Sequence, residues 1–365
     1  MMTLKTFSKK MLDYDSFKTL ESSWHKLKST DLPIVIYGMG DGCKKILSQF
    51  DKYEIKCSGI FASDEFVRGH EFAGYKVVKY SDICNQYKDF IIVPAFGTSI
   101  PELMNRLDRM AMEHHLIMVD TPVCGDEYFC KDEFLKRFEL AQKVYSLLAD
   151  DLSKQVFEDV LKFKITGEPH RLSAIFTTPD EAYKNILQLE NNESYVDIGA
   201  YTGDTILEFL SQTNQNYKKI TAFEPNKKNF RKCVKNTLHL DNIELYNCAA
   251  WSSDCFAMFS AGAGRQAQIS ATGIPVMCRS VDSVVGKNGC SYIKYDAEGA
   301  DRQAILGSRS VIDRFSPKIC TALYHRAYDI IDIPLLIHEL NPQYKMFMRQ
   351  YSYYPAWETN LFCHV

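Results

Sequence analysis

The chain predicts an α/β protein: two nucleotide-type folds in tandem, joined by a helical bridge. Three observations carry that expectation. Short β-branched runs alternate with helical periodicity in two separate stretches. A glycine-bearing strand-to-helix turn occurs twice, at Gly38 and at Gly199. The length of 365 residues suits two or three domains of roughly 150 residues each.

In the first stretch Pro33 to Tyr37 reads as a strand that ends in GMGDG and leads into a helix from Cys43 to Phe50. Further strands are expected at Ile55 to Phe61, Lys76 to Val78, Phe90 to Val93 and Leu116 to Val119, with a helix at Pro101 to Glu113. This alternation predicts a small parallel sheet over residues 1–125, with helices on both faces. From Lys131 to Phe163 apolar residues recur at three- and four-residue steps, so residues 126–191 read as a bridge built on two amphipathic helices. Residues 192–365 alternate again: strands at Tyr195 to Ile198, Ile220 to Phe223, Ile243 to Cys248, Tyr292 to Tyr295 and Lys318 to Leu323. The helices between them are Thr205 to Thr213, Lys228 to Leu238 and Asp301 to Ile312, and Phe256 to Val285 reads as an inserted hairpin. Two closing strands, Tyr344 to Arg349 and Asn360 to Cys363, are expected to form an antiparallel edge.

Composition excludes several classes. Hydrophobic residues make up 46% and charged residues 24%, which is enough apolar side chain for a core in each domain and rules out disorder. With 43 basic against 46 acidic side chains the net charge is -3, so no long-range field attracts a polyanion and nucleic acid is a poor partner. The 12 cysteines show no C-x-x-C pair and no zinc spacing, and they read as reduced thiols of a cytoplasmic protein. No stretch reaches the length of a membrane span, and the expectation is a protein without stable membrane insertion. Composition leaves room for a homo-oligomer.

The chemistry is concentrated in YVDIGAYTGDT, where Asp197, Gly199 and Gly203 follow a strand and open a helix. Ligands of open parallel sheets bind at such a turn. ITAFEPN ends the next strand in Glu224, roughly twenty residues on, where an acid reaches ribose hydroxyls. A dinucleotide would lay its pyrophosphate on the helix N-terminus, and acids at Asp197 and Asp204 would repel it. A ligand with an ammonium and a sulfonium suits them, so S-adenosylmethionine fits and NAD does not. For Asp197 alone, a turn or capping acid is the plainer reading.

VDIGAYTGDT, ITAFEPNKKNF, IELYNCAAWSS, YIKYDAEGADRQAILGSRSVIDRFSPKI and ALYHRAYDIIDIPLLIHELNPQYKMFMRQYS together resemble, in order, the FkbM-type S-adenosylmethionine-dependent O-methyltransferases. The resemblance spans about Ser194 to Val365, and KYDAEGAD is its most specific element. Asp301 stands where that family usually has Glu. The resemblance implies a class I methyltransferase fold, Rossmann-like with a mostly parallel sheet, that methylates a hydroxyl of a sugar, a glycan precursor or a glycosylated natural product. It also implies that Asp197, Gly199 and Gly203 hold the methionine end, Glu224 the ribose, and Cys248 and Ala249 the adenine. Ala200, Asp204 and Pro225 complete the expected cofactor set. VIYGMGDGCKK, with Asp64 near a ribose-acid position, resembles the glycine turn of Rossmann domains in bacterial polysaccharide-biosynthesis proteins. Cys43 replaces the third glycine and Asp41 sits in the phosphate turn, so the first domain reads as a degenerate nucleotide fold used for docking or acceptor recognition.

Four side chains are candidates for catalysis. Asp296 and Glu298 follow the fourth strand of the second domain, and Lys294 shares a face with Asp296, either as an acceptor contact or as an ion pair that holds the loop. His325 follows the fifth strand and could accept a hydroxyl proton as a base titrating near neutrality. Asp296, Glu298, Asp301 and His325 could also form an oxygen-rich Mg²⁺ site, but a carboxylate cluster without metal is the default and no metal is expected. The aromatic run Tyr351 to Trp357 lines an acceptor pocket or packs in the core. A small-molecule or glycan hydroxyl is the expected acceptor. The competing reading, from a different class, is a non-catalytic binding protein of a glycan-synthesis complex.

Overall fold

The computed structural model describes residues 11–259 and 273–365. Six strands form the first sheet: β1 (Ile34–Tyr37), β2 (Cys57–Ala62), β3 (Glu71–Phe72), β4 (Tyr75–Lys79), β5 (Ile91–Pro94) and β6 (His115–Leu116). Their order is β3-β4-β2-β1-β5-β6, parallel except for the β3–β4 pair. The chain leaves β1 toward β2 on one side and returns to β5 on the other, so the sheet's switch point lies between β1 and β5. Helix Asp41–Tyr53 starts earlier than its apolar periodicity suggests, because Gly38 (φ 104°) and Gly40 (φ 123°) make the whole reversal and release Asp41 into the first turn.

The expected strand Leu116 to Val119 is shorter than its apolar run. The Ile117 N–H still donates to the Ile92 carbonyl of β5 (2.9 Å), but the Met118 N–H turns to the Gly167 carbonyl in the bridge (2.8 Å), so burial continues while sheet pairing stops. Helices Phe138–Leu147 and Asp151–Thr166 form the bridge, the second capped by Asp150, whose side chain accepts from the Ser153 N–H. Their apolar faces are not a satellite layer. Val35, Tyr37 and Phe61 of the first sheet, Phe134, Phe138, Val156 and Phe157 of the bridge, and Ile330, Ile331 and Ile337 of helix Asp329–Leu340 belong to one continuous core.

Eight strands form the second sheet: β7 (Phe176–Thr177), β8 (Ser194–Ile198), β9 (Lys219–Phe223), β10 (Ile243–Tyr246), β14 (Tyr292–Tyr295), β15 (Lys318–Ala322), β16 (Lys345–Tyr351) and β17 (Thr359–His364). Their order is β10-β9-β8-β14-β15-β17-β16-β7, a mostly parallel, Rossmann-like sheet. Only β17 runs antiparallel, between β15 and β16. The expected antiparallel edge is corrected here: β17 is an inner strand, and the outer side of β16 is covered by β7, where Gln350 pairs with Phe176. The expected helix Asp301 to Ile312 is two helices, Asp301–Leu306 and Arg309–Phe315. Gly307 separates them, and any Cβ there would lie 1.9 Å from the Trp251 carbonyl oxygen. Three further strands form a small sheet: β11 (Ala249–Ala250), β12 (Cys255–Phe259) and β13 (Ile274–Arg279). The antiparallel β12–β13 pair is the expected hairpin, with the connecting part of the expected span, 260–272, outside the described residues.

Candidate active site

β8 and β9 deliver the glycine turn and the ribose-type acid. The Gly199 and Ala200 N–H groups both donate to the Phe223 carbonyl (3.0 Å each), so the two strand ends are tied together. Gly199 adopts φ 91°, and a Cβ on it would lie 1.9 Å from the Asp296 carbonyl oxygen. Only glycine lets this turn approach the loop after β14 so closely. Gly203 (φ 87°) caps helix Asp204–Gln212.

At the end of β9 the Glu224 carboxyl accepts from the Tyr201 N–H (2.9 Å) and the Asn226 N–H (2.7 Å). Burial nevertheless raises it to about 7. Asp197 is fully buried on β8, facing Lys294 across the β8–β14 register. The Thr205 hydroxyl donates to its Oδ2, while its Oδ1 has no hydrogen-bond partner. Burial raises this carboxyl to about 6, with Lys294 and Thr205 pulling the other way.

The loop after β14 is organised by Asp301, which is buried and accepts from the Ala297 N–H (2.8 Å) and the Gly299 N–H (3.1 Å). Its Oδ1 takes the Ala297 N–H, and its Oδ2, which takes the Gly299 N–H, also holds His325 Nδ1 at 2.7 Å. On the other side of the ring, His325 Nε2 faces Asp296 Oδ1 at 3.2 Å and Glu298 Oε2 at 3.9 Å. His325 is 1% exposed, whereas the side chains of Asp296 and Glu298 are each 32% exposed. Burial disfavours the imidazolium, but Asp301 and Asp296 outweigh it and raise His325 well above its ordinary value. The structure thus differs from the expectation of an imidazole titrating near neutrality: His325 is a cation held between carboxylates. Lys294 Nζ lies 3.7 Å from Asp296 Oδ2, and although its burial opposes the charge, Asp296 and Asp197 raise its pKa and keep it protonated.

A cavity of about 690 Å³ opens beside these groups. Of the expected residues, Gly199, Asp204, Glu224, Pro225, Ala249, Lys294, Asp296, Glu298 and His325 line it. Asp197, Ala200, Gly203 and Cys248 do not. Cys248 is a correction: its side chain packs behind the wall, 1% exposed, and burial pushes its thiol up to about 11. The sequence reading missed Tyr201, Asn226, Asn229 and Tyr324 on the lining. Asn226 had a legible signal, since it caps helix Lys227–Asn236 by accepting from the Lys228 and Asn229 N–H groups next to the strand-end acid. Among the described residues no group of three or more His, Cys, Asp or Glu side chains is placed to hold a metal ion.

The family model described as the methyltransferase FkbM domain matches residues 197–353. No curated protein matches by sequence. Among solved structures, the methyltransferase FkbM from Methylobacillus flagellatus KT superposes with a TM-score of 0.72 at 16% identity, over 96% of this chain and 97% of that one, a likeness of fold. An rRNA methylase from Streptococcus thermophilus covers 52% of this chain and 96% of its own at 13% identity and a TM-score of 0.34. Aeropyrum pernix fibrillarin, solved with S-adenosyl-L-methionine, covers 50% and 71% at 8% identity and a TM-score of 0.31. Residues 197–353 of this chain are thus similar to the methyltransferase FkbM domain, a match that points to S-adenosylmethionine as the cofactor.

Proposed function

We propose that the protein is an S-adenosylmethionine-dependent O-methyltransferase that methylates a hydroxyl of a sugar or glycan precursor. The observation that carries this reading is the Asp301–His325–Asp296 chain, buried at one end and open to the cavity at the other, beside the glycine turn. The donor set fits the cofactor. Glu224 keeps carboxyl lone pairs for ribose hydroxyls, Pro225, Ala249 and Ala250 offer an apolar wall for the adenine, and Asp204 and Glu208 suit an ammonium. When bound, S-adenosylmethionine supplies an electrophilic methyl group.

The chain's own residues do the rest. Asp296 accepts the proton of the acceptor hydroxyl as the new C–O bond forms, because it is the carboxylate that both reaches the cavity and is oriented from behind. His325 donates to Asp296 through Nε2, and Asp301 fixes the ring through Nδ1, so His325 positions the base. Lys294 holds the second Asp296 oxygen. Glu298 closes the far side of the imidazolium.

The setting we infer is the cytoplasm, in assembly of a surface polysaccharide or glycosylated product. All twelve cysteines are free thiols, and no helix among the described residues is long and apolar enough to cross a membrane. The test is linkage analysis of glycans from cells with the wild-type protein and with Asp296→Asn. Loss of an O-methyl ether with the variant supports the reading. Unchanged methyl ethers, or methyl groups found on nitrogen instead, overturn it.

A further inference from the structure

The cavity has a second wall that the methyltransferase domain does not supply. Asp41, Gly42 and Lys45 follow β1, Ala95, Phe96 and Gly97 follow β5, and Thr121 to Val123 follow β6, and all of them line it. These segments sit at the carboxyl ends of the first sheet's strands, around its own switch point. On the other sheet, Gly199 and Asp296 mark the switch point between β8 and β14. The two sheets therefore open their ligand-binding ends onto one space.

The junction is built to hold that arrangement. The Thr98 N–H donates to the Tyr354 carbonyl (2.7 Å) and the Tyr354 N–H donates back to Thr98 (2.9 Å). A Cβ on Gly97 would lie 2.5 Å from the Trp357 ring and 2.8 Å from Tyr353, so the loop after β5 presses directly on two aromatic rings that also line the cavity. The Cys124 N–H donates to the His325 carbonyl (2.9 Å), which joins the end of the first unit to the catalytic loop.

The charge of the lining is selective. With Asp204, Glu208 and Glu224 given to the cofactor, Asp41, Asp296, Glu298 and Glu358 remain on the lining for the acceptor, beside three basic side chains, Lys45, Lys294 and His325. Each basic group is already engaged. Lys45 Nζ donates to the Pro122 carbonyl (3.0 Å) and the Val123 carbonyl (3.4 Å) and pairs with Asp41 (3.2 Å). Lys294 faces Asp296, and His325 is enclosed by Asp301, Asp296 and Glu298. A phosphate or carboxylate entering here meets like charge and, among the described residues that line the cavity, no cation that is not already paired, a juxtaposition that recognition sites disfavour. Hydroxyl groups, which donate to carboxylates, and an apolar ring face against Trp357 and Tyr353 meet complementary surfaces.

We propose that the acceptor binds between the two sheets, with the loops after β1 and β5 forming its specificity wall, and that the part entering the cavity is a hydroxyl-rich saccharide bearing no phosphate or carboxylate. This rests on the methyltransferase reading above and adds the acceptor's charge class and the residues that choose it. Asp41 is the discriminating residue: it stands in the glycine turn where a phosphate-binding fold keeps its anion site clear.

The test uses the full chain with isotopically labelled S-adenosylmethionine and matched probes: methyl glycosides of common hexoses and 6-deoxyhexoses, the same sugars as 1-phosphates and nucleoside diphosphates, and methyl glucuronoside. Methyl transfer is read by product mass. The expected result is transfer to a neutral glycoside at a kcat/KM at least about tenfold above that of its phosphate-bearing counterpart. Asp41→Lys should narrow that ratio by about tenfold or more, and Gly97→Val should raise the glycoside KM, while both keep the wild-type dissociation constant for S-adenosylhomocysteine. Preference for the nucleoside-diphosphate or 1-phosphate sugar overturns the proposal. So does cofactor binding with no neutral glycoside methylated, or an unchanged ratio in Asp41→Lys. Failure of the chain to bind S-adenosylhomocysteine by calorimetry overturns the methyltransferase reading beneath it instead.

Discussion

The carboxyl of Glu224 should make cofactor binding depend on pH in a way that can be followed residue by residue. Burial raises it to about 7, although the Tyr201 and Asn226 N–H groups stabilise the anion. Ribose hydroxyls donate to the carboxylate, so the binding-competent form is the ionised one, and affinity should rise with pH up to about 7 and then level off. One unit below that value about ten carboxyls are protonated for each ionised one, so the dissociation constant at pH ~6 should be about tenfold weaker, or ~1.4 kcal/mol. Binding there should release close to one proton, visible as a calorimetric enthalpy that varies with the ionisation heat of the buffer. Glu224→Gln should flatten the profile and weaken binding at pH ~8 by about 1.5–3 kcal/mol, since a charged acceptor is lost. Asp197 is raised only to about 6, so the midpoint separates the two groups. A flat wild-type profile from pH ~5.5 to ~8, or a slope that survives in Glu224→Gln, would refute the assignment of Glu224 to the ribose.

Three other outcomes follow from the same geometry. Asp301→Asn should lower kcat by about 10²–10⁴-fold with little change in cofactor affinity, since it frees the His325 ring without touching the cofactor wall; single-turnover kinetics and calorimetry check the two halves. Gly199→Ala should destabilise the fold by about 1–3 kcal/mol from backbone strain alone, with the clash against the Asp296 carbonyl adding to it, as read by urea unfolding. Asp329, buried and raised to about 7 mainly by its burial and by Asp301, contributes stability that is full below its unfolded value near 4 and is lost as pH rises through 7. Asp329→Asn should therefore gain on wild type in melting temperature as pH rises from ~4 to ~8, and a gap that moves the other way would contradict the sign.

Much of the second sheet was legible because its strands are short β-branched runs bounded by helix signals, and local sequence decides such elements. The order in which strands assemble was less so. Nothing within Asn360 to Cys363 says that this strand inserts between β15 and β16, because that choice is made by the partners' edges and by the bridge, which returns through Phe176 to cover β16. The candidate acids were readable from spacing, and the structure brings Asp296, Glu298 and Glu224 to one cavity. The state of His325 was not. A sequence places a histidine after a strand, but its charge depends on three carboxylates that come from the β14 loop and the helix following it, and on a burial that only tertiary packing sets.

The protonated state of His325 also explains why the loop after β14 is built around Asp301. A buried imidazolium is costly unless its charge is paired and both N–H groups are used. Asp301 meets one of them, and it is itself held by two backbone N–H groups of the same loop, so the anchor cannot drift. The other N–H is then committed to the side on which Asp296 reaches the cavity. A neutral histidine could turn its free nitrogen to the acceptor, but it would leave Asp301 and Asp296 facing each other across an uncharged ring. The arrangement is therefore stable with the proton on His325 and a carboxylate at the cavity, so under the proposed reaction the group to receive a proton is the one that can be neutralised without leaving a buried charge unpaired: Asp296, which is 32% exposed, rather than the 1% exposed ring behind it.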